Sequence, residues 1–337
     1  MSRLALISTV ALAKRISLLA GFVLLIVALA TWFLRRQALR AGRIRLARGL
    51  ALSSFLAVSP IVLGAGLYTD TVFIEPNWLQ IERVRVKNPA LAPALAGLRI
   101  VQVSDLHLKE APQSGTSLDK NFKEAVPFRV RRMVRLVNAL RPDAIVVTGD
   151  FVSGRGGMER ALNALDGWRR PPFGIWAVPG NTDEIFYSKE EMKKLCKEHG
   201  IELLANERRR LTWGDRAPFC LAGVDDPTYR KDNLSLTLEG IPVELPILLL
   251  GHSPSDRLIQ QAADRRVPLL LVGHTHGGQI GIPWLRRLSD YANRTPYMAG
   301  LFHIQGMSLY VNRGIGMKTR DIRLLCRPEI TALEVIP

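Results

Sequence analysis

The sequence predicts an α/β layered domain behind an N-terminal transmembrane helical hairpin. Three observations carry that prediction. Short apolar runs, such as Leu269–Val272 ending at Gly273, read as buried strands. Amphipathic stretches, such as Phe128–Leu140, alternate with them, and strands with intervening helices build layered α/β folds. Ahead of both, two apolar stretches flank a basic loop, the pattern of two bilayer-spanning helices.

A chain of 337 residues can bury one large domain and carry an appendage. Its formal net charge is +16, but residues 1–48 hold nine Lys and Arg and no acid. The surplus is therefore largely N-terminal, which argues against a nucleic-acid partner for the chain as a whole. Cys196, Cys220 and Cys326 are too widely spaced for a zinc signature or a disulfide framework, and buried free thiols are expected.

The first predicted span, residues 16–34, is apolar apart from Ser17 and Thr31. The second, residues 49–68, contains Pro60, which transmembrane helices tolerate. A cleaved signal peptide is the competing account, as is a twin-arginine export signal at Arg35-Arg36. Residues 69–96, with Pro76, Pro89 and Pro93, read as a linker in which Gln80–Val86 could hold a short strand. Residues 97–337 form the main domain.

There the elements follow in order. Leu98–Val103, Ala144–Val147, Gly174–Val178, Phe219–Val224, Ile247–Leu250, Leu269–Val272, Ser308–Val311 and Ile330–Ile336 are strand candidates. Phe128–Leu140 places Val130, Met133, Val134, Val137 and Leu140 on one helical stripe, with Pro142 as the stop. Met158–Trp168 reads as a short helix. Ser188 to Glu191 is a capping box that opens a helix to about Glu198, before Gly200. The polar loop Lys109–Pro127 could cover a site or be a flexible excursion. Arg208-Arg209-Arg210 reads as a solvated basic turn, or as a phosphate or lipid-headgroup contact.

Five strands deliver a metal-competent side chain just past their C-terminal ends. They bring Asp105 and His107, then Asp150, then Asn181 and Asp183, then His252, then His274 and His276. One aspartate after a strand is usually a turn or cap residue. Five such endings at the sheet edge where open α/β folds bind ligands are a metal site. Carboxylates neutralise cation charge, and neutral imidazoles add nitrogen donors. Gly273, Gly277 and Gly278 free the backbone to aim the two paired histidines separately.

Over roughly residues 97–337 this order resembles the calcineurin-like metallophosphoesterases. The matching motifs are Asp105-x-His107, Gly149-Asp150, Gly180-Asn181-Thr182-Asp183, Gly251-His252 and Gly273-His274-x-His276. Tyr310–Gly316 and Cys326–Glu329 are similar to the membrane-associated bacterial branch. The resemblance implies a sandwich of two mixed β-sheets flanked by helices, with 97–337 as the catalytic domain. It implies two divalent cations (manganese favoured over iron or zinc), and hydrolysis of a phosphodiester or pyrophosphate bond by activated water. Asp105, His107 and His276 would hold one metal, Asn181, His252 and His274 the second, and Asp150 would bridge them. Asp150, Asn181 and Asp183 are then the candidate catalytic residues, with Asn181 and His252 as substrate contacts. Asp183 would orient a ligand histidine, or be a solvated turn acid.

Thr182 departs from the family pattern, which has a histidine that helps protonate the leaving oxygen. A threonine hydroxyl keeps its proton near neutral pH. Losing a general acid costs about 10²–10⁴-fold with a poor leaving group. The cost is smaller when the leaving group is already a stabilised anion, so Thr182 points to a pyrophosphate or an activated ester. UDP-2,3-diacylglucosamine pyrophosphatases of bacteria belong to this superfamily, and a membrane hairpin suits such a lipid-bearing substrate, a lipid A precursor. The alternatives are a generic phosphodiesterase or phosphatase and a non-catalytic binding module that keeps the fold. The complete ligand set favours an enzyme. The expected location is the inner membrane. Positive charges near the spans count equally on the two sides. The dense Arg35–Arg48 loop argues for an exported domain. The N-terminal tail and the substrate argument favour the cytoplasmic face.

Overall fold

The computed structural model of the protein describes residues 26–27, 29–109, 127–282, 295–318 and 321–337. The chain divides into two compact units, residues 1–70 and 71–337.

In the first unit, Ile44–Thr69 is one continuous α-helix that contains Pro60. At about 1.5 Å per residue it is roughly 39 Å long, more than the ~30 Å bilayer core. Leu52, Phe55, Leu56, Val62 and Leu63 on its surface are exposed. It is the one helix among the described residues that is long and apolar enough to cross a membrane. Most of the first expected span, and nearly all of the Lys109–Pro127 loop, lie outside the described residues. The described part, from 29 to 40, is helical, and the Ser54 hydroxyl donates to Thr31 Oγ1 at 2.6 Å.

The second unit contains twelve strands among the described residues. They are β1 (Gln80–Lys87), β2 (Arg99–Val103), β3 (Ala144–Thr148), β4 (Ile175–Val178), β5 (Ile201–Leu203), β6 (Glu207–Leu211), β7 (Phe219–Gly223), β8 (Ile247–Leu250), β9 (Leu269–Val272), β10 (Gly300–Ile304), β11 (Met307–Val311) and β12 (Glu329–Ile336). One sheet has the order β1-β12-β2-β3-β4-β5, and the other β10-β11-β9-β8-β7-β6. Both are mixed: β12 runs antiparallel to β2, β10 to β11 and β6 to β7, and the remaining pairs are parallel.

The central strands are apolar on both faces because each sheet is covered twice. Ile100, Val146, Leu248, Leu250, Leu269 and Leu271 meet in the layer between the sheets. Their neighbours Val101, Val103, Ile145 and Val147 face the helices Phe128–Leu140, Gly157–Leu165 and Lys189–Glu198. On the far side, Leu249, Leu270 and Val272 face the helix Asp256–Asp264. Ser188 caps its helix with the reciprocal capping box the sequence predicts. Buried Gln102 ties the sheets together, donating to Thr148 Oγ1 at 3.0 Å and to the Val272 carbonyl at 2.9 Å.

Three strands, β5, β6 and β10, are not among the candidates read from the sequence, and β1 is longer than the short strand allowed there. Gln80–Lys87, inside the stretch read as a linker, is a full edge strand paired along its length with β12. Arg208-Arg209-Arg210 is not a turn but the middle of edge strand β6. There Arg209 pairs with Glu202 at 2.6 Å and Arg208 donates to the Thr237 carbonyl at 3.2 Å. A short edge strand carrying charge is a common guard against edge-to-edge pairing. β10 forms a hairpin with β11 that the sequence reading did not include. All three cysteines are free and buried, as expected.

Candidate metal and active site

The C-terminal ends of β2, β3, β4, β8 and β9 meet at one edge of the sandwich, and the seven expected ligands gather there. Asp105, His107 and His276 form one cluster of potential metal-binding atoms, and Asp150, His252 and His274 form a second. Asn181 joins the second cluster, its Oδ1 lying 3.2 Å from His252 Nε2. All seven are buried.

The backbone is strained where it delivers them. Asp105, His107, Asp150, His274 and His276 have φ between 49° and 72°. Such left-handed residues cost of order 1–3 kcal/mol each and persist only where the surroundings fix them. Asp105 N donates to the Gly149 carbonyl at 2.9 Å, and His107 N to the Asp150 carbonyl at 3.1 Å, so the first two motif loops lock each other. Gly180 allows the third loop to press against them: a Cβ there would overlap the Asp150 backbone nitrogen and carboxylate.

Within the first cluster, His107 Nε2 lies 3.0 Å from His276 Nε2, and the two rings stack. His276 Nε2 is 3.3 Å from Asp105 Oδ1. Within the second, His274 Nδ1 is 3.1 Å from His252 Nε2. Outer partners fix the rings. His252 Nδ1 donates to the Thr148 carbonyl at 2.7 Å, and His107 Nδ1 lies 2.7 Å from Ser153 Oγ. His252 Nε2 therefore carries the lone pair in the neutral ring, yet it faces Asn181 Oδ1, Asp150 Oδ2 and His274 Nδ1 at 3.1–3.3 Å. Acceptors converging on one point call for a positive charge between them, and a metal cation fits. Asp105 Oδ1 and Asp150 Oδ2, buried and without a hydrogen-bond partner among the described residues, make the same demand. The donor set thus fits two divalent cations.

The charges agree. Burial raises Asp150, but the imidazoles of His252 and His107 outweigh it and hold this carboxyl well below the usual range. Burial lowers His252, but the Asp150 carboxylate outweighs it and lifts the imidazole to about 10. This pair demands positive charge, which a proton or a metal can supply. Burial, reinforced by His252, pushes His274 well below its ordinary value. Burial and His107 do the same to His276, so both rings are neutral donors.

Asp183 does not bond a histidine, and it is not a solvated turn acid. Fully buried, its two oxygens accept from Val152 N and Gly180 N, both at 3.0 Å, and so staple the second and third motif loops together. Thr182 is also buried. Its amide donates to Asp150 Oδ1 at 2.8 Å, and its hydroxyl has no hydrogen-bond partner among the described residues. The sequence reading missed Ser153, which is separated from His107 by 46 residues, and Lys318, whose Nζ lies 3.4 Å from Asn181 Oδ1. No motif marks either residue.

Two mixed sheets that bring two clusters of potential metal-binding atoms to one edge define a candidate dinuclear metal centre. Residues 98–278, more than half of the chain, match the calcineurin-like phosphoesterase family, and the chain belongs to that family. It is a hydrolase, and the family uses a dinuclear divalent metal site. It is 28% identical to the uncharacterized metallophosphoesterase YkuE of Bacillus subtilis (strain 168), over 82% of this chain and 92% of that one. It is 32% identical to a transmembrane protein with metallophosphoesterase domain of Danio rerio, over 74% of this chain and 55% of that protein. It is 25% identical to the UDP-2,3-diacylglucosamine pyrophosphatase LpxG of Chlamydia trachomatis serovar D, over 78% of this chain and 91% of that one. The transmembrane relative and the apolar helix are the two signs of membrane association.

Proposed function

We propose that the chain is a membrane-anchored binuclear phosphoesterase that hydrolyses a phosphodiester or pyrophosphate bond. UDP-2,3-diacylglucosamine is the best specific candidate substrate. One observation carries the binuclear reading. Asp150 Oδ2 lies 3.4 Å from His107 Nε2 of one cluster and 3.3 Å from His252 Nε2 of the other. One carboxylate oxygen thus serves both half-sites while Thr182 N holds its twin. Asp105, His107 and His276 would bind one cation. Asn181, His252 and His274 would bind the other, and manganese is the favoured metal. Bound there, the two cations supply Lewis acidity: they lower the pKa of water and neutralise charge on the phosphoryl oxygens.

The chain's own groups do the rest. Ser153 and the Thr148 carbonyl orient His107 and His252 so that Nε2 points inward. Asn181 offers an uncharged oxygen beside the substrate position. Thr182 offers no transferable proton, so the leaving oxygen departs as an anion, which suits a phosphate released from a pyrophosphate. Support for a lipid-borne substrate comes from the rim. Phe73 and Ile74, just after the apolar helix, are exposed, as is Leu325. Leu325 N is tied to Glu75 Oε2 at 2.7 Å, and the next residue, Cys326, sets its sulfur 3.3 Å from the His276 carbonyl.

Detergent-purified protein with Mn²⁺ tests the reading against UDP-2,3-diacylglucosamine, an aryl phosphodiester and an aryl monoester. Preferred cleavage of the lipid nucleotide is the expected result. Cleavage of the aryl diester alone would leave a generic phosphodiesterase, and metal binding without any cleavage would leave a binding module. The proposed topology is two N-terminal helices, with the catalytic domain on the cytoplasmic face of the inner membrane. A C-terminal alkaline phosphatase fusion should then be inactive. An active fusion would place the domain outside and remove a nucleotide-activated substrate.

A further inference from the structure

The strap from Asn312 to Lys318 leaves β11 and lies directly on the first motif. Ile315 N donates to the Ser104 carbonyl at 2.9 Å, and Gly316 N to the Asp105 carbonyl at 2.6 Å. A Cβ on Gly316 would come within 2.5 Å of the Leu106 carbonyl oxygen, so the approach needs glycine. From the other side the fully buried Arg323 guanidinium donates through Nη2 to the carbonyls of Arg313, Gly314 and Gly316, at 2.7–3.0 Å. The end of the strap is fixed as well. Lys318 N donates to Gln279 Oε1 at 3.1 Å, and Gln279 Nε2 donates to the Ile322 carbonyl at 2.8 Å.

This much anchoring delivers a single charge. The Lys318 side chain is 26% exposed. Its ammonium sits 3.4 Å from Asn181 Oδ1 and 4.0 Å from Asp150 Oδ2, at the second half-site. The neighbouring Thr182 keeps its proton, so charge that collects on a leaving oxygen has to be met by fixed charge. A compact ammonium with three donors does this for any phosphoryl oxygen, and it does most where the leaving group carries negative charge of its own.

We propose that Lys318 is a phosphoryl-binding residue that selects phosphoesters with an anionic, phosphate-bearing leaving group. The proposal rests on the hydrolase reading above and names the substrate class of that same site. The test uses full-length, manganese-loaded protein as Lys318→Met and Lys318→Arg. Isothermal titration with inorganic phosphate reads binding without turnover. kcat/KM is compared on UDP-N-acetylglucosamine, a soluble pyrophosphate, and on bis(4-nitrophenyl) phosphate. Metal content is counted by mass spectrometry.

Lys318→Met should weaken phosphate binding by ~10-fold or more, the usual scale for a lost charged hydrogen bond, with metal content unchanged. It should lower kcat/KM on the pyrophosphate by a similar factor and on the aryl diester by distinctly less. Lys318→Arg should restore phosphate binding. Unchanged phosphate affinity in Lys318→Met, or equal losses on both esters, would overturn the proposal. If the unaltered protein cleaves neither ester, the proposed phosphodiester or pyrophosphate substrate fails, and the phosphate titration alone decides the role of Lys318.

Discussion

The two half-sites are built from similar residues but differ in charge and access. The first holds the carboxylate Asp105 and two stacked imidazoles, with Asp105 Oδ2 taking His274 N at 2.9 Å. The second has the neutral carboxamide of Asn181 in the corresponding place, and Lys318 reaches it. Asp150 is common to both. The first half-site therefore has more negative charge per cation and should bind its metal more tightly. The second is the one Lys318 reaches, and selectivity should reside there. A fold can hold one cation for structure and leave its partner free to exchange and react.

The largest effect should come from the shared residue. Asp150→Asn removes charge from both half-sites at once, and hydrolysis should fall to background with reduced metal occupancy. Full activity with full metal content in that variant would refute the shared-ligand assignment.

Asp183 lies next, because it belongs to neither half-site but joins the loops of both. Asp183→Ala strands the buried amides of Val152 and Gly180, at a cost of roughly 1–3 kcal/mol each. Urea unfolding of the metal-free protein should show that loss, with Asp183→Asn, which keeps one oxygen, falling in between. Equal stability of all three forms would mean the staple contributes nothing.

Thr182→His sharpens the second half-site's role. Turnover of diesters with poor leaving groups should rise by up to ~10²-fold, with much less change on pyrophosphates. Steady-state rates on the two substrate types check this, and parallel changes would remove the leaving-group argument.

The smallest effect lies at the border of the second half-site. Burial, aided by the Asp225 carboxylate, pushes Glu184 up to about 8, although Lys231 pairs with it at 2.5 Å. The folded protein holds a proton there that the unfolded chain releases from about pH 4.5 upward. Stability from this group is complete below that pH and is lost as pH rises towards 8. Glu184→Gln should flatten the fall in melting temperature between pH 5 and 8. An unchanged slope would show that the carboxyl is ionised throughout.

Much of the site was legible because apolar strands bounded by glycine mark where the chain must turn, and metal-competent residues follow each one. The ligand motifs are local, none longer than four residues, so the family resemblance could place Asp105, Asp150 and His274. What was not legible depends on contacts between distant segments. β6 hides its pairing because Glu207-Arg208-Arg209-Arg210 is charged on both faces, as an edge strand permits. The role of Asp183 appears only when the loops after β3 and β4 are seen side by side. Lys318 reaches Asn181 only because Arg323 and Gln279 fix the strap that carries it. No residue near Lys318 in the chain announces that contact.

Anomalous diffraction at the manganese edge, on crystals grown with Mn²⁺ and then treated with graded chelator, tests the central claim most directly. Two peaks are expected before treatment: one among Asp105, His107 and His276, the other among Asn181, His252 and His274, with Asp150 between them. The second peak should fade first. A single peak, or two that fade together, would contradict the account of two unequal half-sites sharing one carboxylate.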